Sequence, residues 1–458
     1  MRTRLAFLAF SLVLLSCTVA AADDWPRWLG EKGDSVWRED GIVDTFPATG
    51  LKTLWTTNIG GGFGGPAVAD GRVFVADWLP MQADGKLAAS GVITEDTKAD
   101  PWKKTSRSGK ERVLALDAKT GKILWKFEYD CPYTTAKNYA TGPRTTPTVD
   151  GDRVYSLGTE GNLVCLEAAT GKCLWQKDFK KEYGLKTAIW GWSCHPLVDG
   201  DKLICIAGGK GTSVVAYDKK TGKTLWTALS SSEPGYSTPS IYEVAGKKVL
   251  FAWLDKTINM LDPETGKKYW SLPTKAQFAM SIITPRVYGD QLYLAAAGKE
   301  GFMLKLGPEL TDVEVVWDTS KSKGAFCPMS TPLLYEGNYY SDSETGAYFC
   351  FDAKTGKQKW QTFDVLGIKR PRKYGNTFTV LHDPPSGKRK LVLITEAGEL
   401  VFAKLTDKGY EEISRTKIIE PTTPIWGRKV VWVHPAFANK TIYFRNDKEI
   451  VAVSLEKK

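Results

Sequence analysis

Histidine and methionine are scarce in this chain, whose 458 residues include three of the first and six of the second. That scarcity argues against a multi-histidine metal enzyme and against a methionine-rich recognition surface. Eight cysteines are present, but no C-x-x-C or C-x-x-C-H occurs, which removes zinc ribbons and c-type haem attachment. No G-x-S-x-G nucleophile elbow is found either. Beyond Asp23 no apolar run approaches the ~18 residues that a membrane-spanning helix needs, so no transmembrane segment is expected. Lys and Arg number 62 against 52 Asp and Glu, a net charge of +10. The excess is spread along the chain without the clustering of a nucleic-acid interface. What abounds is glycine (43), tryptophan (17) and hydrophobic residues (42%), the composition of a chain with many turns and a large core.

Residues 1–22 read as an export signal, with Arg2 and Arg4 before an apolar stretch from Leu5 to Leu15 and a small-residue cleavage site at Ala20-Ala21-Ala22. The expectation is an exported protein, periplasmic or extracellular. Leu14-Leu15-Ser16-Cys17 also resembles a lipobox, with an atypical Leu in second position, so cleavage before Asp23 and a lipid anchor at Cys17 both stay open. The other cysteines, Cys131, Cys165, Cys173, Cys194, Cys205, Cys327 and Cys350, are odd in number and cannot all pair. Cys165, Cys205 and Cys350 lie within apolar alternation and read as small core residues.

The chain repeats itself. One unit runs from Thr146-Pro147 through RVYSLGTEG and NLVCLEAATGK to CLWQKDF, and its opening proline recurs at Pro66, Pro196, Pro239, Pro285, Pro332 and Pro435, with Phe378 standing in once. The closing tryptophan recurs at Trp125, Trp175, Trp226, Trp270, Trp317 and Trp360, with Ile413 in the seventh unit. Within each unit short runs alternate polar and apolar residues between D-G, T-E-G and T-G-K turns, which predicts four antiparallel strands. The eighth unit stops after three strands, and Leu51 to Ile59, carrying Trp55, supplies the fourth. An all-β, eight-bladed β-propeller of four-stranded antiparallel blades, closed by an N-terminal strand, is therefore expected over residues 51–458, with an insertion at 79–110 in the first blade. Residues 23–50, with Trp25 and Trp28, are expected to pack outside the ring.

The pattern A-x-D-x-x-T-G-K-x-x-W, as in Ala115 to Trp125, resembles the PQQ-type repeat of quinoprotein dehydrogenases and of the outer-membrane assembly factor BamB. The resemblance covers about Leu51 to Leu455 and implies that the repeated tryptophans pack between blades. It is also ambiguous about activity. The dehydrogenases hold PQQ beside Ca²⁺ with Glu, Asn and Asp ligands, a further Asp as base and often a disulfide between adjacent cysteines. This chain has no adjacent cysteines, and the acids read on its long loops, Asp130, Glu182, Glu233, Asp318, Asp364 and Glu420, are scattered. The expectation is a non-catalytic, BamB-like scaffold with no cofactor and no metal. The alternative is a quinoprotein-like oxidoreductase, with PQQ in the channel.

Short D-G and T-G-K turns should occupy one face, and long dissimilar loops the other, where binding usually resides. Just before the innermost strand of each blade lie Gly65, Thr146, His195, Thr238, Thr284, Thr331, Thr377 and His434. The two histidines follow related sequences, Ile189-Trp190-Gly191-Trp192 and Ile425-Trp426-Gly427. Arg144, Trp190, Trp192, His195, Trp426, Arg428, Trp432 and His434 are accordingly the candidate binding residues, helped by Arg370, Arg372 and Lys373, for a protein partner or a small anionic ligand. The plainer reading is that the ring of Thr and His only ties strand ends together. No paired base is visible that would make His195 part of a Ser/His/Asp site. If Trp192 and Arg428 serve recognition alone, alanine at either would abolish binding without loss of stability. GGGFGG at 60–65 reads as a tight inter-blade connection and His382 as an exposed loop residue.

Overall fold

The computed structural model describes residues 24–92, 106–133, 142–298, 300–318 and 329–457. The leader with Cys17, the middle of the 79–110 insertion and Cys327 lie outside the described residues. Among the described residues, eight sheets of at least four strands succeed one another along the chain, six of them in purely sequential antiparallel order and two joined by a strand from the N-terminal segment. Blade 2 shows the unit: Thr148–Asp150, Arg153–Leu157, Asn162–Glu167 and Cys173–Asp178 pair in turn. Its inner strands are buried on both faces and its last strand is half-exposed, so each blade runs from the channel to the rim. Blade 8 is completed as expected: Thr53–Asn58 pairs with Glu449–Ser454, which follows Ala436–Ala438 and Thr441–Arg445. Closure removes the open edges that would otherwise invite pairing with another chain.

Blades are joined by the repeated tryptophan. Trp55, Trp125, Trp175 and Trp360 donate from Nε1 to a backbone carbonyl of the next blade, at Ala118, Ala168, Lys219 and Thr406. For Trp55, Trp125 and Trp175 the neighbour is the glycine of the T-G-K turn. The Asp carboxylate opening that turn accepts from the Thr backbone N–H and hydroxyl, as Asp117 does from Thr120. Gly121, Gly171 and Gly222 then adopt φ of 71°, 74° and 71°, and a Cβ on any of them would come within 2.8 Å of a tryptophan ring. At the blade 8 to blade 1 junction, a Cβ on Gly64 or Gly65 would meet a carbonyl oxygen at 2.2 or 2.1 Å. The glycine run is thus a close crossing of backbones.

Residues 24–43 do not pack outside the ring, as the sequence suggested. They enter the channel. Trp25 bridges Val68 on the innermost strand of blade 1, and Val149 of blade 2 donates to the Pro26 carbonyl. After a tip at Leu29 to Ser35 the chain turns back, and Val36–Trp37 adds a fifth, parallel strand to the inner edge of blade 7 against Leu381–His382. It leaves beside Leu455 and Glu456. Trp25, Leu29 and Trp37 are buried there. The tryptophans do anchor the segment, but burial is greatest inside a channel whose apolar lining cannot be read from a one-dimensional pattern. His382 is likewise buried, at the end of strand Thr377–His382, with Nε2 bonded to the Glu39 carbonyl of this inserted segment.

Candidate ligand-binding site at the channel mouth

The long loops enclose a cavity of about 640 Å³ at the mouth of the channel. Seven of the eight candidate residues line it: Arg144, Trp190, His195, Trp426, Arg428, Trp432 and His434. Trp192 does not. It is 1% exposed, packs edge-on against Phe179 between blades 2 and 3 and donates to the Ala207 carbonyl. The related sequences around Trp190 and Trp426 therefore each present one indole to the cavity and diverge two residues later, where Trp192 turns into the wall. Of the helper cations, Lys373 lines the cavity, whereas Arg370 and Arg372 do not.

The ring before the innermost strands is largely occupied with the fold. His195 Nδ1 accepts the Thr146 backbone N–H at 2.7 Å, Thr238 Oγ1 accepts from His195 N at 3.4 Å, and Thr331 Oγ1 accepts from Thr284 N at 3.0 Å. Successive blades are thus tied at their tops. His434 donates from Nδ1 to its neighbour's carbonyl, Pro435 O, at 2.8 Å. Burial pushes both imidazoles down, His195 to about 3 and His434 to about 4. At neutral pH they are uncharged, and each has one nitrogen committed.

Sequence reasoning missed two sets of residues. Trp28, at the turn of the inserted segment, lines the cavity from below, and the tyrosine, phenylalanine and methionine residues Tyr236, Tyr374, Phe63, Phe278, Phe378, Met280 and Met329 complete an apolar wall. Only the fold gathers them. The second set is a series of buried acids in or just after the second strand of six blades: Asp77, Glu160, Asp255, Asp342, Glu396 and Asp447. Each holds a loop. Asp77 accepts from Gly60 N and pairs with Arg112, Glu160 accepts from Thr187 and Lys180, and Asp255 from Ser232. Asp342 accepts from Ser330 and Thr377 N, and Asp447 from Thr422 and Thr423. Glu396 accepts from Arg428 Nε at 3.0 Å, Trp432 Nε1 at 3.0 Å and Arg372 Nη1 at 3.3 Å. The legible signal was an acid recurring after the second strand, as in LGTEG, WLDKT and LITEAG.

Three aromatic residues of the cavity sit on left-handed backbone, Phe278 at φ 55°, Tyr374 at 53° and Trp426 at 44°. Trp426 and Gly427 form a two-residue turn, both with positive φ, between Thr423–Ile425 and Arg428–Val430. That turn ordinarily takes Asn-Gly or Asp-Gly, so a bulky residue there is strained. Its indole is 47% exposed and lies over the Tyr374 ring, centroids 5.4 Å apart.

The fit to PQQ with Ca²⁺ is poor at this site. Arg144, Lys373 and Arg428 could face a tricarboxylate, but among the described residues the cavity lining includes no Asp or Glu, and the buried acids of this face already accept from backbone, Ser, Thr, Trp, Lys and Arg donors. A calcium site takes six to eight oxygens, several of them charged.

The family model described as outer membrane protein assembly factor BamB matches residues 109–362. A polyvinylalcohol dehydrogenase of Sphingopyxis sp. is 25% identical over 48% of this chain and 41% of its own length. BamB of Burkholderia pseudomallei is 27% identical over 38% of this chain and 47% of its own. In both, the match spans less than half of the relative. The crystal structure of BamB from Moraxella catarrhalis aligns over 88% of this chain and 97% of that one at 15% identity, with a TM-score of 0.39, too low to add to what the strand order establishes. With more than half of its length matched by that family model, and with the repeat and the propeller that go with it, this chain belongs to the BamB family of PQQ-like β-propellers.

Proposed function

We propose that the protein is a non-catalytic binding scaffold of the cell envelope, which uses the channel-mouth cavity to hold an amphipathic anion. That anion is an aromatic or aliphatic body bearing a carboxylate, either free or as part of a partner polypeptide. The observation that carries this reading is the cavity wall, which among the described residues has four indoles, three cations and no carboxylate, with three of its aromatic side chains on strained backbone. Strain at clustered positions is retained where it positions something, and Trp and Arg are the residue types that dominate binding energy. The committed histidines, and a wall without acids among the described residues, speak against general-base or metal-assisted chemistry there. An envelope location is in keeping with the relatives named outer membrane protein assembly factor and with the leader read at residues 1–22.

The test has two arms. Titration with the amphipathic anion 8-anilinonaphthalene-1-sulfonate should give saturable, one-to-one binding that weakens in Trp426→Ala and Lys373→Ala, while the neutral analogue N-phenyl-1-naphthylamine binds less tightly. Equal affinity for both dyes, or indifference to both substitutions, overturns the reading. Reconstitution with PQQ and Ca²⁺ and dye-linked assay on alcohols should give no turnover, and turnover abolished by a chelator would install the oxidoreductase reading instead. If an acidic peptide displaces the dye and small carboxylates do not, the ligand belongs to a partner protein.

A further inference from the structure

The cavity has a floor that the propeller itself does not supply. The floor is Trp28, which belongs to the segment inserted into the channel from the opposite face. Its ring stacks on His195 at 4.3 Å and 11°, meets His434 edge-on at 5.1 Å, and its Nε1 donates to Thr284 Oγ1 at 3.2 Å. One indole thus reaches blades 3, 5 and 8 at once. The segment is secured on either side of it. Trp25 and Trp37, 3% and 0% exposed, both pack on Phe437, and Arg286 of blade 5 donates to the Gly33 carbonyl at 2.9 Å. The entering and leaving arms add backbone pairing to blades 1, 2 and 7. Leu29, Gly30, Gly33 and Ser35 all have positive φ, which folds the tip tightly enough to return within the channel.

We propose that Trp28 sets the depth of the cavity and thereby selects ligands by length, the inserted segment acting as an intramolecular stop beneath the binding site. This rests on the cavity being a binding site. Because Trp25, Trp37 and the Gly33 contact hold the segment independently, truncating Trp28 deepens the cavity without withdrawing the segment. The blades fix the width of the cavity while this one side chain fixes its length, so depth can change without altering the ring.

The experiment measures displacement of 8-anilinonaphthalene-1-sulfonate by phenylalkanoates of increasing chain length. In the natural protein affinity should rise about fourfold for each methylene buried, then stop rising once the chain meets the indole. In Trp28→Ala the break should move to longer chains, and in Trp28→Phe it should fall between the two, with the melting temperature confirming that each variant is folded. A break at the same length in all three proteins, with displacement otherwise intact, overturns the assignment of Trp28 alone. Failure of every phenylalkanoate to displace dye from the natural protein overturns the binding reading, and this inference with it. Should Trp28→Ala unfold, the segment depends on Trp28 and the independent-anchoring argument fails, while Trp28→Phe still decides the length effect.

Discussion

Glu396 is 2% exposed and is shared by two guanidinium groups and an indole, while Val431 N–H donates to its carbonyl oxygen. Removing the carboxylate leaves Arg428 without its ion partner in a partly buried place. Glu396→Ala should therefore cost about 3 kcal/mol in chemical denaturation, the low end for a broken buried pair because Arg372 retains access to water. Arg428→Ala should lower stability as well, by about 1–2 kcal/mol, contrary to the sequence expectation that it would touch recognition alone. The same correction applies to Trp192→Ala, which empties a buried site and should cost about 3–5 kcal/mol. Trp426→Ala, at a strained and exposed tip, should leave stability nearly unchanged and weaken dye binding.

Titration at this scale has a definite sign. His195 and His434 lie at about 3 and 4 in the folded protein against an ordinary histidine value of roughly 6.5. Between pH 4 and 6.5 the unfolded chain therefore binds their protons and the folded one does not. Stability should fall as pH drops through that window. Asp342, pushed up to about 7 by burial, acts oppositely, since its folded form keeps a proton there that the unfolded form loses. Of these three groups, two histidine protons against one aspartate proton leave a contribution of about 1.4 kcal/mol per pH unit, while burial also holds His382 down, which adds to the loss toward acid, and holds Glu111 up, which opposes it. Denaturation midpoints between pH 4 and 6.5 check this, and a His195→Asn, His434→Asn variant should lose the two histidines' share, so that its stability falls less toward acid than that of the natural protein.

Among the elements, the contact between a blade's tryptophan and the next blade's turn glycine combines two constraints. At Gly222 φ is 71°, and an added Cβ would lie 2.8 Å from the Trp175 ring. Gly222→Ala should cost about 2 kcal/mol, from left-handed backbone strain and displaced packing together. Gly246→Ala is the control. Its φ is 72° but nothing stands within 4 Å of the added Cβ, so it should cost only the conformational part, about 1 kcal/mol. Equal losses at the two positions would show that the tryptophan yields freely and does not hold the blades together.

For the whole molecule, closure by Thr53–Asn58 is the contact on which the ring depends. Deleting residues 51–59 uncovers the Glu449–Ser454 strand and separates blade 8 from the Trp55 contact with blade 1. Cooperative unfolding or aggregation is expected, and unchanged melting with an unchanged hydrodynamic radius would refute it. The strand count, the closing strand, the turn chemistry and the face that carries the cavity were legible in the sequence, because period-two alternation, T-G-K turns and a repeated tryptophan are local patterns that eight copies reinforce. Seven of the eight candidate residues meet around one cavity for the same reason, since equivalent positions in a repeat fall at equivalent heights in the ring. Trp192, Trp28 and Glu396 were decided only by the tertiary structure. Whether an indole faces a cavity or a wall depends on which blade leaves room for it, whether a tail lies outside or inside depends on how much apolar surface the channel offers, and whether a carboxylate is buried depends on cations more than twenty residues away. None of these quantities is carried by neighbours in the chain.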